Sequence, residues 1–136
     1  MEGRREATAQ CAILAAMSDS TPTTRITRFV LMHTSHAGNV GAAARAMKVM
    51  GFDDLVLVKP RFADVLTRDE TLAMASGAAD VLQRACVVDT LIEALKGVQQ
   101  VCATAMTPRD FGPPAAAPRA FLPTLAGSNV SVAFVF

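Results

Sequence analysis

From residue 25 onward the chain alternates short apolar runs with polar, turn-forming breaks. The first run, Phe29-Val30-Leu31-Met32, predicts a strand over residues 25–32. The second, Asp54-Leu55-Val56-Leu57-Val58, is closed by Lys59-Pro60 and predicts another. Between them, Ala42-Ala43-Ala44-Arg45-Ala46 predicts a helix that stops at Gly51, a residue suited to the position just past a helix end. Two buried strands joined by a helix form a parallel βαβ unit with a right-handed crossover. Residues 69–75 read as a short helix, followed by Gly77-Ala78-Ala79-Asp80, and Cys86-Val87-Val88 reads as a short strand. Asp89-Thr90 can cap a helix over 91–95, which Gly97 ends. A strand is expected over 100–104. Residues 106–118, with Pro108, Pro113, Pro114 and Pro118, read as a loop. A helix is expected over 119–126, interrupted by Pro123. Residues 130–136 are almost wholly apolar, like a central parallel strand buried on both faces, here expected to keep an uncovered face and an unpaired edge. The alternation predicts an α/β fold, a mostly parallel sheet flanked by helices.

Ligands of such sheets bind outside the carboxyl ends of the strands, which singles out loops 34–39, 59–62 and 104–109. In the first of these, Asn39 reads as the cap of the following helix, whose N–H groups and positive dipole end would face an anion. Arg45 follows Gly41 by about one helical turn and carries a planar, permanent cation suited to phosphate or carboxylate. An ordinary capped helix with a surface arginine accounts for the same residues. Ala37-Gly38-Asn39-Val40-Gly41 also fits the last five places of the dinucleotide-binding pattern G-x-G-x-x-G. His36 occupies the first glycine place, however, and the second strand ends in Val58-Lys59-Pro60 rather than in an acid. Lys59 and Arg61 could still meet a 2′-phosphate, so a nicotinamide-dependent oxidoreductase stays as a rival. His33 and His36 would share a metal on a helix; at a strand end they point to different faces, and one packed and one solvated histidine is expected. Lys59, Arg61 and Arg68 form a sparse basic loop able to touch phosphate.

Composition narrows this further. A chain of 136 residues, 51% hydrophobic, is one domain with a real core. No apolar run approaches the roughly 20 residues of a membrane span. A net charge of +1 means that any RNA contact must come from a local patch. The three cysteines show no metal-ligand spacing, and Cys86 and Cys102 read as reduced core residues of a cytoplasmic protein. Residues 1–24 differ from the rest. Cys11-Ala12-Ile13-Leu14-Ala15-Ala16-Met17 follows Arg4-Arg5 but is short for a signal peptide, and Glu2 and Glu6 do not suit a transit peptide. The segment is expected to be a flexible leader, with the folded part over 25–136.

Thr34-Ser35-His36-Ala37-Gly38-Asn39-Val40-Gly41-Ala42-Ala43-Ala44-Arg45-Ala46-Met47-Lys48 resembles the first motif of the SpoU-type tRNA/rRNA 2′-O-methyltransferases, the knotted SPOUT class, and most of all their TrmJ-like subgroup. The likeness continues through Met50-Gly51-Phe52, Leu55-Val56-Leu57-Val58-Lys59-Pro60 and Ala75-Ser76-Gly77-Ala78-Ala79-Asp80-Val81-Leu82. It then takes in Val88-Asp89-Thr90-Leu91, Glu93-Ala94-Leu95 and Thr104-Ala105-Met106. The resemblance implies a trefoil-knotted α/β fold, S-adenosyl-L-methionine as donor and an obligate homodimer. It implies tRNA as substrate, with rRNA as a further option, methylated at a ribose 2′-hydroxyl in the anticodon loop. By the same resemblance Asn39 and Arg45 belong to the catalytic set, and Thr104, Ala105 and Met106 border the donor. Ser35, His36, Lys48, Lys59 and Arg61 are the expected RNA contacts, with no metal and no membrane involved.

Methyl transfer from a sulfonium is an in-line displacement, so positioning dominates, and the attacking hydroxyl must lose its proton. Arginine stays cationic and is a poor base but a good phosphate clamp. Arg45 is therefore expected to orient and to stabilise developing charge, with Asn39 holding Arg45 or the turn. In the resembling family the strand matching residues 130–136 runs on into a Gly-Arg-Glu motif, and a later Ser-Leu-Asn segment ties the knot. The chain is thus expected to be the first two-thirds of a catalytic domain and inactive alone. A non-catalytic RNA-binding or dimerisation remnant of the same fold is the alternative.

Overall fold

The computed structural model describes residues 24–105 and 110–136. The expected leader lies outside the described residues except for Thr24, and so does Met106. The described elements run β1 (Thr27–Met32), α1 (Ala37–Val49), β2 (Asp54–Val58), α2 (Asp69–Ala75), α3 (Ala79–Arg84), β3 (Cys86–Val88), α4 (Leu91–Ala94), β4 (Gln100–Ala103), α5 (Pro118–Ala126) and β5 (Val132–Val135). The strands form one sheet in the order β3-β2-β1-β5-β4, every neighbouring pair parallel. The expected α/β architecture is therefore present. Residues 79–84, to which the sequence reading gives no element, are helical, and Pro123 sits inside α5 without ending it.

β5 corrects a second expectation. It is central, as its composition implies, but both of its edges are paired: Phe29 registers with Phe134 on one side, and Cys102 with Phe134 on the other. The unpaired edge is absent because β4 reaches the outside of the sheet and leaves β5 beside β1.

Side chains alternate across the strands and build two cores. On one face Leu55 and Leu57 of β2 pack with Val40 and Ala44 of α1, Ala75 of α2 and Val81 of α3, with Phe29, Phe52 and Phe62 packed against them. On the other, Val30, Val56, Val58 and Ala133 pack under the single turn of α4. Each fully buried leucine or valine contributes about 1.5–3 kcal/mol. Two arginines at the start of β1 bind helix ends, where carbonyls lack partners and the dipole favours a cation. Arg25 donates to the carbonyls of Leu125 (2.9 Å) and Ala126 (3.3 Å) at the end of α5. Arg28 donates to Ala94 and Lys96 around the end of α4, both at 2.9 Å, and to Asp54 of β2 at 3.0 Å.

α1 ends as its sequence predicts. Gly51 is left-handed (φ 80°), its N–H bonds Lys48, and the Phe52 N–H bonds Met47 at 2.8 Å. These two bonds satisfy the last carbonyls and set the Phe52 ring 5.2 Å from that of Phe29. The two glycines inside α1 have a packing reason. A Cβ on Gly41 would lie 2.1 Å from the Thr71 carbonyl oxygen, and one on Gly38 would lie 2.9 Å from a Glu70 carboxylate oxygen. Only glycine lets α1 and α2 approach this closely. Buried Thr71 locks the contact, its hydroxyl 3.1 Å from the Ala37 carbonyl oxygen and 2.5 Å from that of Val65.

Candidate functional site

β1 and β2 end alike at their carboxyl termini. The residue after each, His33 (φ 50°) and Lys59 (φ 43°), is left-handed without being glycine. Each donates its N–H to the next strand, His33 to Val58 at 2.9 Å and Lys59 to Val88 at 3.0 Å. Such residues cost about 1–2 kcal/mol each and persist where the surroundings over-determine them. The Arg61 N–H donates to the Thr34 carbonyl at 3.0 Å and joins the two loops. The structure thus brings Ser35, His36, Lys59 and Arg61, all exposed, onto one surface. His33 is exposed too, so the packed partner expected in the histidine pair is not found. Among the described residues no group of three or more His, Cys, Asp or Glu gathers as a metal site.

The N-cap of α1 is His36, not Asn39. Its backbone is extended and its side chain makes no capping bond, while Asn39 is the third helical residue, its N–H donating to the His36 carbonyl at 3.2 Å. Asn39 also does not hold Arg45. Six residues separate them, about 9 Å along the helix and about 120° around it. Both are exposed, and Arg45 makes no hydrogen bond or ion pair with any described residue. Arg45 stands on the flank of α1 that carries Gly38 and Gly41, beside α2.

Lys48 lies in the last turn of α1, about 16 Å from its start, apart from the carboxyl-end loops. It pairs with Asp80 and holds that carboxyl below its ordinary value of 3.8, chiefly through the hydrogen bond. Thr104 closes β4, its N–H 2.9 Å and its hydroxyl 3.3 Å from the Val135 carbonyl oxygen. Thr104 and the exposed Ala105 are two strands from β1, about 10 Å across the sheet. Half-buried Cys102 on the same strand has its thiol pushed up by burial. A groove of about 400 Å³ lined by Thr27, Phe52, Leu122, Leu125, Val132 and Phe134 opens toward the amino ends of β1 and β5, away from these loops.

Sequence reasoning missed the role of Phe62. The guanidinium carbons of Arg61 and Arg68 lie 5.4 Å and 4.1 Å from the centre of its ring. The signal available was an aromatic residue beside one arginine and six residues before another.

A five-stranded parallel sheet with helices on both faces, and with Lys59 and Arg61 on the loops beside the start of α1, defines an α/β protein. Residues 27–126 match the SpoU rRNA methylase family, and the chain belongs to that family. Among curated relatives, a tRNA (cytidine/uridine/adenosine-2′-O-)-methyltransferase TrmJ of Pseudomonas aeruginosa is 46% identical over 112 residues, 80% of this chain and 42% of that protein. A tRNA (cytidine/uridine-2′-O-)-methyltransferase TrmJ of Salmonella typhimurium is 44% identical over 111 residues, 80% of this chain and 44% of that one. The chain thus spans less than half the length of these relatives. The crystal structure of TrmJ from Z. mobilis superposes with a TM-score of 0.73 at 34% identity, over 82% of this chain and 49% of that one. A probable methyltransferase from Bordetella pertussis gives 0.68 at 46% identity, over 82% and 68%.

Proposed function

We propose that this chain serves S-adenosyl-L-methionine-dependent 2′-O-methylation of a ribose in the anticodon loop of tRNA, as a homodimer in the cytoplasm. The observation that carries the reading is the exposed Arg45, without an ion pair among the described residues, on a helix whose first turn adjoins two joined polar loops. Arg45 clamps a phosphate and stabilises the oxygen as it loses its proton; it does not act as the base, because its guanidinium stays charged. Asn39, on a different side of the same helix, offers a carboxamide to a second part of the RNA. Ser35, His36, Lys59 and Arg61 meet the backbone of the RNA around the target. Thr104 and Ala105 serve the donor. They are exposed at the carboxyl end of β4, where the Thr104 N–H and hydroxyl both meet the Val135 carbonyl oxygen. When bound, the donor supplies an electrophilic methyl group.

The test is tritium transfer from S-adenosyl-L-methionine to undermodified tRNA by this chain extended to the length of its relatives. Arg45→Lys should lower turnover about 100-fold, because a point charge does not replace a bidentate fork. Near wild-type turnover by Arg45→Ala would take the residue out of the active site. No incorporation by the wild type would end the reading, and calorimetry of donor binding would then show whether a non-catalytic fold remains.

A further inference from the structure

Two arginines share one aromatic ring on the loop between β2 and α2. Phe62 is half-buried and packs on the core beneath α1, α2 and α3, so its ring is a fixed platform. A guanidinium resting on a ring face keeps its N–H edge available and loses few conformers when that edge meets an anion. Arg68, nearer the ring, is held a second time by Asp64, with Nη1 at 3.1 Å and 3.4 Å from the two carboxylate oxygens. Arg61 has no carboxylate partner among the described residues. Its backbone N–H is bonded to Thr34, so the stack is tied to the turn that leads into α1. Two cations lie against one ring, and the Asp64 carboxylate pairs only with Arg68, which leaves the charge of exposed Arg61 uncompensated among the described residues.

We propose that the Arg61–Phe62–Arg68 stack is a phosphodiester grip, its two guanidinium edges binding phosphates of the RNA strand that carries the target ribose. The inference rests on the RNA-methylation reading and extends it by making Phe62 and Arg68 determinants of RNA binding. It also ranks the arginines by their partners. Arg61, uncompensated, adds charge and so counterion release; Arg68, already paired, adds direction more than charge.

The experiment is fluorescence anisotropy of undermodified tRNA with the extended protein across a series of salt concentrations, with thermal melting of each variant alongside. Arg61→Gln should weaken binding about 5- to 10-fold and reduce the slope of log affinity against log salt by about 1. Arg68→Gln should weaken it about 3-fold with a smaller change of slope. Phe62→Leu keeps apolar volume and removes the ring; it should weaken binding about 3-fold with the slope unchanged. In methyl transfer the double variant Arg61→Gln/Arg68→Gln should raise KM and leave kcat in place. Wild-type affinity and slope in that double variant, with methylation by the wild type intact, would overturn the grip and leave the methylation reading standing. A wild type that neither binds nor methylates tRNA would overturn both.

Discussion

The two sides of the sheet are held together differently. On the β3-β2-β1 side, Leu55, Leu57, Val30 and Val58 are 0–1% exposed, and α1 meets α2 so closely that Gly41 has no room for a Cβ. On the β5-β4 side the backbone ladders are complete and β5 is buried, with Val132 at 2% and Ala133 at 0%, but β4 and its surroundings are thinly covered. Val101 is 43% exposed, Leu122 44% and Phe136 52%. The β3-β2-β1 side is specified by interlocking side chains and by Arg28, which ties β1 to β2 and to the end of α4; the other side is specified by hydrogen-bonded backbone and by Arg25 at the end of α5. The difference matters for the site. The loops carrying Ser35, His36, Lys59 and Arg61 grow from the interlocked side, whereas Thr104 and Ala105 grow from the thinly covered one.

The comparison breaks most sharply at Gly41. Gly41→Ala would force its Cβ against the Thr71 carbonyl, a backbone atom that cannot swing aside, and should cost about 3 kcal/mol in urea unfolding. A loss below about 1 kcal/mol would show that α1 and α2 can slide apart. Arg28→Met comes next. It keeps the packing of the stem but leaves Asp54 and the carbonyls of Ala94 and Lys96 without their donor, and should cost about 2 kcal/mol by the same measurement. On the open side, Phe111→Ala and Val101→Thr should each change stability by less than about 0.5 kcal/mol, and a larger effect would mean that these side chains are covered. The smallest effect is that of acid on the exposed Lys48–Asp80 pair. Because Asp80 titrates below its ordinary 3.8, the pair's stabilisation is present at neutral pH and is lost as pH falls past 3.8 through the lowered value. Melting curves of Asp80→Asn should therefore converge with those of the wild type at the acid end.

Much of the fold was legible because its signals are local. The apolar runs at 29–32 and 55–58, the Thr90 cap accepting from the Glu93 N–H and the left-handed Gly51 each depend on neighbours in sequence. α3 was hidden because its N-cap, Ala78, offers no side-chain acceptor. The true start of α1 was hidden because Gly38 and Gly41 resemble turn residues, and what makes them helical is Thr71, Met74 and Ala75 some thirty positions away. The same limit applies at the site. Asn39 and Arg45 stand out as residue types, but the turn of the helix between them, and the ring that gathers Arg61 and Arg68, exist only in three dimensions.

The placement of β1 between β2 and β5 has a consequence in time. Its first neighbour, β2, follows after one helix and ends at Val58, so that edge can close early. Its second neighbour registers Thr27 with Val132 and Val30 with Val135, so this edge waits for about a hundred further residues. Closing a loop of that length is slow, and the paired strand must stay competent meanwhile. During synthesis on a ribosome, the segment bearing the cationic loops can therefore condense before β5, which arrives on a template already formed.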